Sequence, residues 1–178
     1  MGLDARLVVY ATDKSTAETA CAAAFARIAE LEAIMSDYRQ DSELMRLCDQ
    51  AGGAPVWVSY DLMTVLRRAE EVSRLSGGAF DITAGPLVGL WRAARRSGVL
   101  PEPAAIEQAR QLVGWEKVEL DLRAQTVRLR TPGMRLDLGG IAKGYACDEA
   151  QRVLKKHGIT RALVEMGGDL VMSGPPPG

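Results

Sequence analysis

The sequence predicts an α+β fold, with helices packed on a mixed or antiparallel sheet, and three observations carry that prediction. Short β-branched runs occur singly or in hairpins between helices of unequal length, not in strict strand–helix alternation. With 47% hydrophobic and 25% charged residues over 178 positions, the chain has the balance of a globular protein with one sizeable core. No internal repeat or convincing boundary interrupts it, so residues 1–178 read as a single domain.

Leu3 to Ala11 alternates loosely and is rich in Val and Tyr, which predicts a strand, and Thr12-Asp13-Lys14-Ser15 supplies capping side chains for the helix that follows. In that helix Ala17, Cys21, Ala24, Ile28, Leu31 and Met35 recur at steps of three and four, a face of mostly small residues suited to packing close to a sheet. Asp41-Ser42-Glu43 starts a short helix through Leu44 and Leu47, and Ala54 to Ser59 reads as a brief strand. Tyr60-Asp61 opens a helix with Leu62, Val65, Leu66, Ala69 and Val72 on one side, ended by Gly77-Gly78. Residues 79–87 are too short and too punctuated for a regular element. A helix near Leu87 to Ala94, a loop with Pro101 and Pro103, and a helical stretch from Ala104 to Val113 come next.

Trp115 to Leu120 and Thr126 to Arg130 form a predicted hairpin, with Arg135 to Leu138 as a strand beside it. A helix from Ile141 to Lys156 sets Ala142, Ala146, Ala150, Val153 and Leu154 to one side, and His157-Gly158 closes it. Arg161 to Glu165 is a strand leading into Met166-Gly167-Gly168-Asp169-Leu170, and Ser173-Gly174-Pro175-Pro176-Pro177-Gly178 is a composition that ends structure.

Formal net charge is −1, so no chain-wide positive field gathers nucleic acid or an anionic membrane, and any phosphate site has to be built locally. Nucleic acid is not an expected partner. Cys21, Cys48 and Cys147 form no CxxC, and His157 is the single histidine, which rules out a zinc site; small buried thiols are expected instead. No stretch approaches about 18 uninterrupted apolar residues, and Met1-Gly2-Leu3-Asp4-Ala5-Arg6 lacks the regions of a secretion signal, so the sequence reads as a soluble chain.

The most informative segment is Arg135-Leu136-Asp137-Leu138-Gly139-Gly140-Ile141-Ala142-Lys143-Gly144-Tyr145, read as a strand running through two glycines into a helix that carries a lysine. Glycines there let the backbone approach a ligand and tolerate positive φ, and the helix start presents unpaired N–H groups, which suits a phosphate. The same turn also joins strands to helices with nothing bound. It is not a Walker A loop, because Tyr145-Ala146 stands where Lys-Ser/Thr is needed, and it lacks the third glycine of a dinucleotide fingerprint. Tyr38, Ser42, Asp81, Thr83, Asp137, Lys143 and Asp169 lie in loop or glycine-rich settings rather than on amphipathic faces. Each also has a structural explanation as a turn cap, a surface ion pair or a core edge.

In order along the chain, these blocks closely resemble the ApbE family of FAD:protein FMN transferases. The resemblance runs from Met1-Gly2 through Leu31-Glu32, Met35-Ser36-Asp37-Tyr38-Arg39 and Asp41-Ser42-Glu43-Leu44 to Gly77-Gly78-Ala79-Phe80-Asp81-Ile82-Thr83. It continues with Gly85-Pro86-Leu87-Val88, Leu90-Trp91, residues 137–146 with Asp148, and Gly167-Gly168-Asp169. It implies an ApbE-like enzyme that takes FAD as substrate with Mg²⁺ and transfers FMN to a threonine or serine hydroxyl of an acceptor protein, releasing AMP. It also implies the site. Tyr38 contacts the adenine side of FAD, Ala79, Phe80 and Asp81 form a wall, Asp137 hydrogen-bonds the cofactor, Gly140 offers its carbonyl to the metal, Lys143 lies against FAD, and Met1 touches it; no residue is singled out as the catalyst.

Two departures stand out. Leu3 replaces the threonine usual after Met-Gly. The family also continues well beyond the Gly-Gly-Asp strand, where it supplies an aspartate and a threonine or serine for the metal, so the chain reads as the N-terminal portion, incomplete at the C-terminus. Weak FAD binding and little transfer are expected of these residues alone. Non-catalytic FAD binding or flavin delivery, and an interaction domain with purely structural glycine turns, remain as alternatives. The resemblance points to acceptors such as subunits of redox-driven membrane complexes, and leaves the compartment open.

Overall fold

The computed structural model describes residues 4–175. In chain order the elements are strand β1 (Ala5–Tyr10), helices α1 (Lys14–Met35) and α2 (Glu43–Asp49), strand β2 (Val56–Trp57), helices α3 (Tyr60–Leu75), α4 (Gly85–Ser97) and α5 (Pro103–Gln111), strands β3 (Val118–Asp121) and β4 (Thr126–Leu129), helix α6 (Ala142–Lys156), and strands β5 (Arg161–Met166) and β6 (Asp169–Ser173). Helices and antiparallel strands coexist as the α+β reading expects, in two three-stranded sheets. The residues group into two compact units, one from residues up to Ala33 together with those from Ile141 onward, the other from Ile34–Gly140. Neither crossing is marked by a change in composition, which is why the linear sequence reads as one domain.

The first unit holds a sheet in the order β1-β5-β6. Leu7 pairs with Val164, and Met166 pairs with Asp169 across the two-residue Gly167-Gly168 turn. Both turn glycines have positive φ, 54° and 94°, the geometry that matches the right-handed twist of a hairpin and that side chains with a Cβ resist. Ala162, Val164 and Met166 alternate as the buried side of β5. Helix α6 lies on β5 and β6 and buries Ala142, Ala146, Ala150 and Leu154, and its three alanines allow close approach. Helix α1 is capped by Asp13, whose Oδ1 accepts from the Thr16 N–H at 2.9 Å, and within this unit it buries Ala20, Ala24 and Leu31, with Cys21 and Ile28 half-buried. Glu149 of α6 is 6% exposed and accepts from Arg27 of α1, Nη2 at 2.9 Å and Nε at 3.2 Å, and from Arg152.

The second unit holds a sheet in the order β2-β4-β3, with Val127 and Leu129 of the central strand buried. Ser42 and Ser59 cap α2 and α3, their Oγ atoms accepting from the N–H groups of Met45 at 3.1 Å and Leu62 at 3.3 Å. Helix α3 buries Leu62, Val65, Leu66 and Ala69 and ends at Gly77 and Gly78, as expected.

Three expectations are corrected here. Arg135 to Leu138 is extended but forms no strand ladder. Its alternation is satisfied by burial among helices and turns, and two of its N–H groups bond outside any sheet, Leu136 to Cys48 Sγ at 3.3 Å and Asp137 to the Ile82 carbonyl at 2.8 Å. Residues 115–117 form a 3-10 turn instead of the start of β3. Helix α4 begins at Gly85 and runs to Ser97, because Pro86 is accommodated in its first turn.

Replacing Glu149 leaves Arg27 with a poorly solvated charge. Glu149→Ala is expected to cost about 2 kcal/mol in chemical denaturation, less than a fully buried pair because Arg27 keeps some solvent.

Candidate cofactor site

In the second unit the site is laid out by residues 134–140. Met134, Leu136 and Leu138 are at most 2% exposed, so Arg135 and Asp137 between them turn the other way. Arg135 pairs with Asp49 at 3.1 Å. Asp137 Oδ1 accepts from the Gly139 N–H at 2.8 Å, an Asx turn that bends the chain, and Oδ2 accepts from Arg92 Nη2 at 3.0 Å. The other nitrogen of that guanidinium, Nη1, donates to Asp37 Oδ2, and the guanidinium carbon stands 4.4 Å from the centroid of the Tyr38 ring. Burial opposes the Arg92 charge, but the Asp37 hydrogen bond and the fields of both carboxylates outweigh it and push its pKa up, so it is a permanent cation.

Tyr38 sits on the loop after α1 and is 61% exposed. Its N–H donates to Ser36 Oγ at 3.3 Å, and Ser42 Oγ donates to the Ser36 carbonyl at 2.6 Å. Ser42, read as a candidate site residue, is fully buried in this support.

Gly139 and Gly140 do not use positive φ. They sit at close approaches instead: a Cβ would meet Asp137 Oδ1 at 2.9 Å from Gly139 and Phe80 Cε2 at 3.2 Å from Gly140, so a side chain at either requires its neighbour to shift. Phe80 is half-buried beside Gly140, and Ala79 before it is exposed. Asp81 has both carboxylate oxygens engaged, Oδ1 by the N–H of Thr83 at 2.8 Å and its hydroxyl at 2.6 Å, and Oδ2 by the Trp115 N–H at 3.0 Å. Thr83 Oγ1 in turn accepts from the Gly114 N–H at 2.7 Å. Asp81 and Thr83 therefore fasten the 79–84 loop to the 114–115 turn.

The second unit thus brings Tyr38, Ala79, Phe80, Asp81, Asp137 and Gly140 into linked loops. Lys143 and Asp169 belong to the first unit, where Lys143 Nζ donates to the Gly167 carbonyl at 3.3 Å and pairs with Asp169 at 3.7 Å. Met1 lies outside the described residues. Among the described residues, no three His, Cys, Asp or Glu side chains gather as a metal ligand set. Cys48 and Cys147 are buried free thiols, and burial pushes both pKa values up, in keeping with small packing residues.

Arg92 escaped the sequence reading. In Leu90-Trp91-Arg92-Ala93-Ala94-Arg95-Arg96 it resembles its solvated neighbours Arg95 and Arg96, and no local signal distinguishes it.

Comparison with known proteins decides the family, because the ApbE family model matches residues 1–178. The chain belongs to the ApbE family. An FAD:protein FMN transferase of Treponema pallidum is 36% identical over 155 residues, 84% of this chain and 43% of the relative. One from Klebsiella pneumoniae is 33% identical over 170 residues, 96% of this chain and 52% of the relative. The flavin transferase ApbE of Vibrio cholerae superposes with a TM-score of 0.90 at 30% identity, over 98% of this chain and 57% of that one. The ApbE protein of Thermotoga maritima gives a TM-score of 0.87 at 29% identity, over 98% and 56%. The chain spans about half the length of the curated ApbE relatives it matches.

Because Asp81 holds a loop by three hydrogen bonds, Asp81→Ala is expected to cost about 3 kcal/mol and Asp81→Asn less, read from urea unfolding.

Proposed function

We propose that this chain carries the FAD-holding part of a flavin transferase. The full protein cleaves FAD and joins FMN through a phosphoester bond to a threonine or serine hydroxyl of an acceptor protein. Membership of the ApbE family along the whole chain carries this reading, and the names of its curated relatives support it. In the reaction the acceptor oxygen bonds to the flavin-side phosphorus, the bond from that phosphorus to the bridging oxygen breaks, AMP leaves, and the hydroxyl proton is released.

Tyr38 offers a ring for the adenine base, and Asp137 a hydrogen-bond acceptor for the cofactor. Ala79 and Phe80 supply a wall, which Asp81 holds from behind; Lys143 and Met1 are assigned to FAD by family resemblance alone. Residues 1–178 are the N-terminal portion of the transferase in this reading, and a subunit of a redox-driven membrane complex is the narrower proposal for the acceptor.

Mg²⁺, when bound, neutralises charge on the diphosphate. The described side chains do not fit a metal centre by themselves, and the exposed Gly140 is the one backbone position assigned to it. A second reading, FAD binding without transfer, is favoured by that missing ligand set. Isothermal titration of the 178-residue chain with Mg²⁺ alone is accordingly expected to give no affinity tighter than about 1 mM.

The transfer is tested with the chain extended by the second half of the Klebsiella relative, supplied with FAD, Mg²⁺ and that relative's acceptor. AMP release together with in-gel flavin fluorescence on the acceptor is expected; FAD retention with neither product selects the second reading. Tyr38→Ala is expected to weaken AMP binding about tenfold, the effect of losing one stacked base.

A further inference from the structure

Helix α4 carries three arginines, of which Arg95 and Arg96 face solvent. Arg92 differs: its side chain is 32% exposed, and it makes three contacts at once, with Asp37, Asp137 and the Tyr38 ring. We propose that Arg92 is the positioning residue for adenine recognition, acting through Tyr38 and Asp137. The proposal rests on the reading that these loops hold FAD.

The guanidinium is suited to this by shape. Its carbon lies over the Tyr38 ring, 4.4 Å from the centroid, and its two terminal nitrogens reach two carboxylates that come from different parts of the chain, Asp37 after α1 and Asp137 before the glycine turn. A lysine ammonium supplies the charge without the plane or the fork. Tyr38 stands on a loop and is mostly exposed, so an unsupported ring samples several rotamers and loses that freedom when a base stacks on it. With one face covered by Arg92, the ring is already ordered and its opposite face is left for a purine.

Charge separates this role from phosphate binding. Asp37, Asp137 and Arg92 together carry a formal charge of −1, from two carboxylates and one guanidinium. A diphosphate is repelled from such a cluster, whereas an uncharged base that accepts stacking and donates hydrogen bonds is not. The cluster thus favours the adenine end of the dinucleotide over its phosphates.

The test measures binding of FAD, AMP and FMN to the 178-residue chain by titration, alongside thermal melting. Arg92→Ala is expected to weaken FAD and AMP about tenfold and FMN less than about twofold, and Arg92→Lys to weaken AMP about threefold. In a Tyr38→Ala background the added effect of Arg92→Ala on AMP falls below about twofold, while in Tyr38→Phe, which keeps the ring, it persists. Equal weakening of AMP and FMN, tighter AMP binding on loss of the guanidinium, or an Arg92→Lys variant that matches wild type overturns the proposal. Arg92→Lys also serves if Arg92→Ala fails to fold. If the unaltered chain binds neither FAD nor AMP, the FAD reading falls and this proposal with it; unaltered binding that survives Arg92→Ala overturns this proposal alone.

Discussion

The burial of Met134, Leu136 and Leu138 on one side of an extended segment is the constraint on which the second unit's site depends. No neighbouring strand fixes the register of this segment; the apolar side chains do, with help from the hydrogen bonds of Leu136 and Asp137 to Cys48 and Ile82. A slip of one residue exchanges the two faces, burying Asp137 and Arg135 and exposing three large apolar side chains. Three such side chains represent about 5 kcal/mol or more of transfer free energy, before the cost of burying an unpaired carboxylate and guanidinium. The position of Asp137, and through its Asx turn the position of Gly139 and Gly140, is therefore set by core packing.

On that frame the polar residues divide by what their oxygens already do. Ser42, Asp81 and Thr83 spend their hydrogen-bonding capacity inside the unit, on a helix cap and on the junction between the 79–84 loop and the 114–115 turn. Tyr38, Ala79, Gly139 and Gly140 are exposed; the first two stand on those supports, and Gly139 is held by Asp137. A motif such as Gly-Ala-Phe-Asp-Ile-Thr thus mixes surface and scaffold: Ala79 is exposed and Phe80 half-buried beside Gly140, and Asp81 and Thr83 fix the loop that carries them. Removing the carboxylate of Asp81 loosens that loop, so a binding defect in that variant does not by itself show contact.

Much of this was legible in the sequence, and the failures have physical causes. The oxygen-bearing residues before α2, the apolar face of α3 and the small residues of α6 identify those helices because each signal acts locally, whereas the Ser59 cap of α3 reads as the end of a strand. The strand read at Arg135 to Leu138 failed because period-two burial records only that the two faces differ, and helices and turns can supply the buried face as well as a sheet can. Asp81 is read from the resemblance as part of a pocket wall, and its bond to Trp115 is not legible, since nothing in sequence order links the two. Arg92 was invisible for the same reason: its partners lie 55 and 45 residues away, and helix position alone assigns it to the solvated side.

The charge distribution then constrains how the proposed nucleotide is recognised. Arg92 is matched by two carboxylates within the second unit, and Lys143 by Asp169 within the first, so neither cation is an unopposed point charge awaiting a phosphate. At a formal net charge of −1 the chain has no general field to compensate. In the proposed FAD reading, attraction for the diphosphate is left to backbone dipoles, which act over short range. In that reading the described side chains recognise the uncharged part of the ligand, by stacking and by directed hydrogen bonds, which salt screens little. Weak dependence of adenine binding on ionic strength is the physical signature of that division of labour.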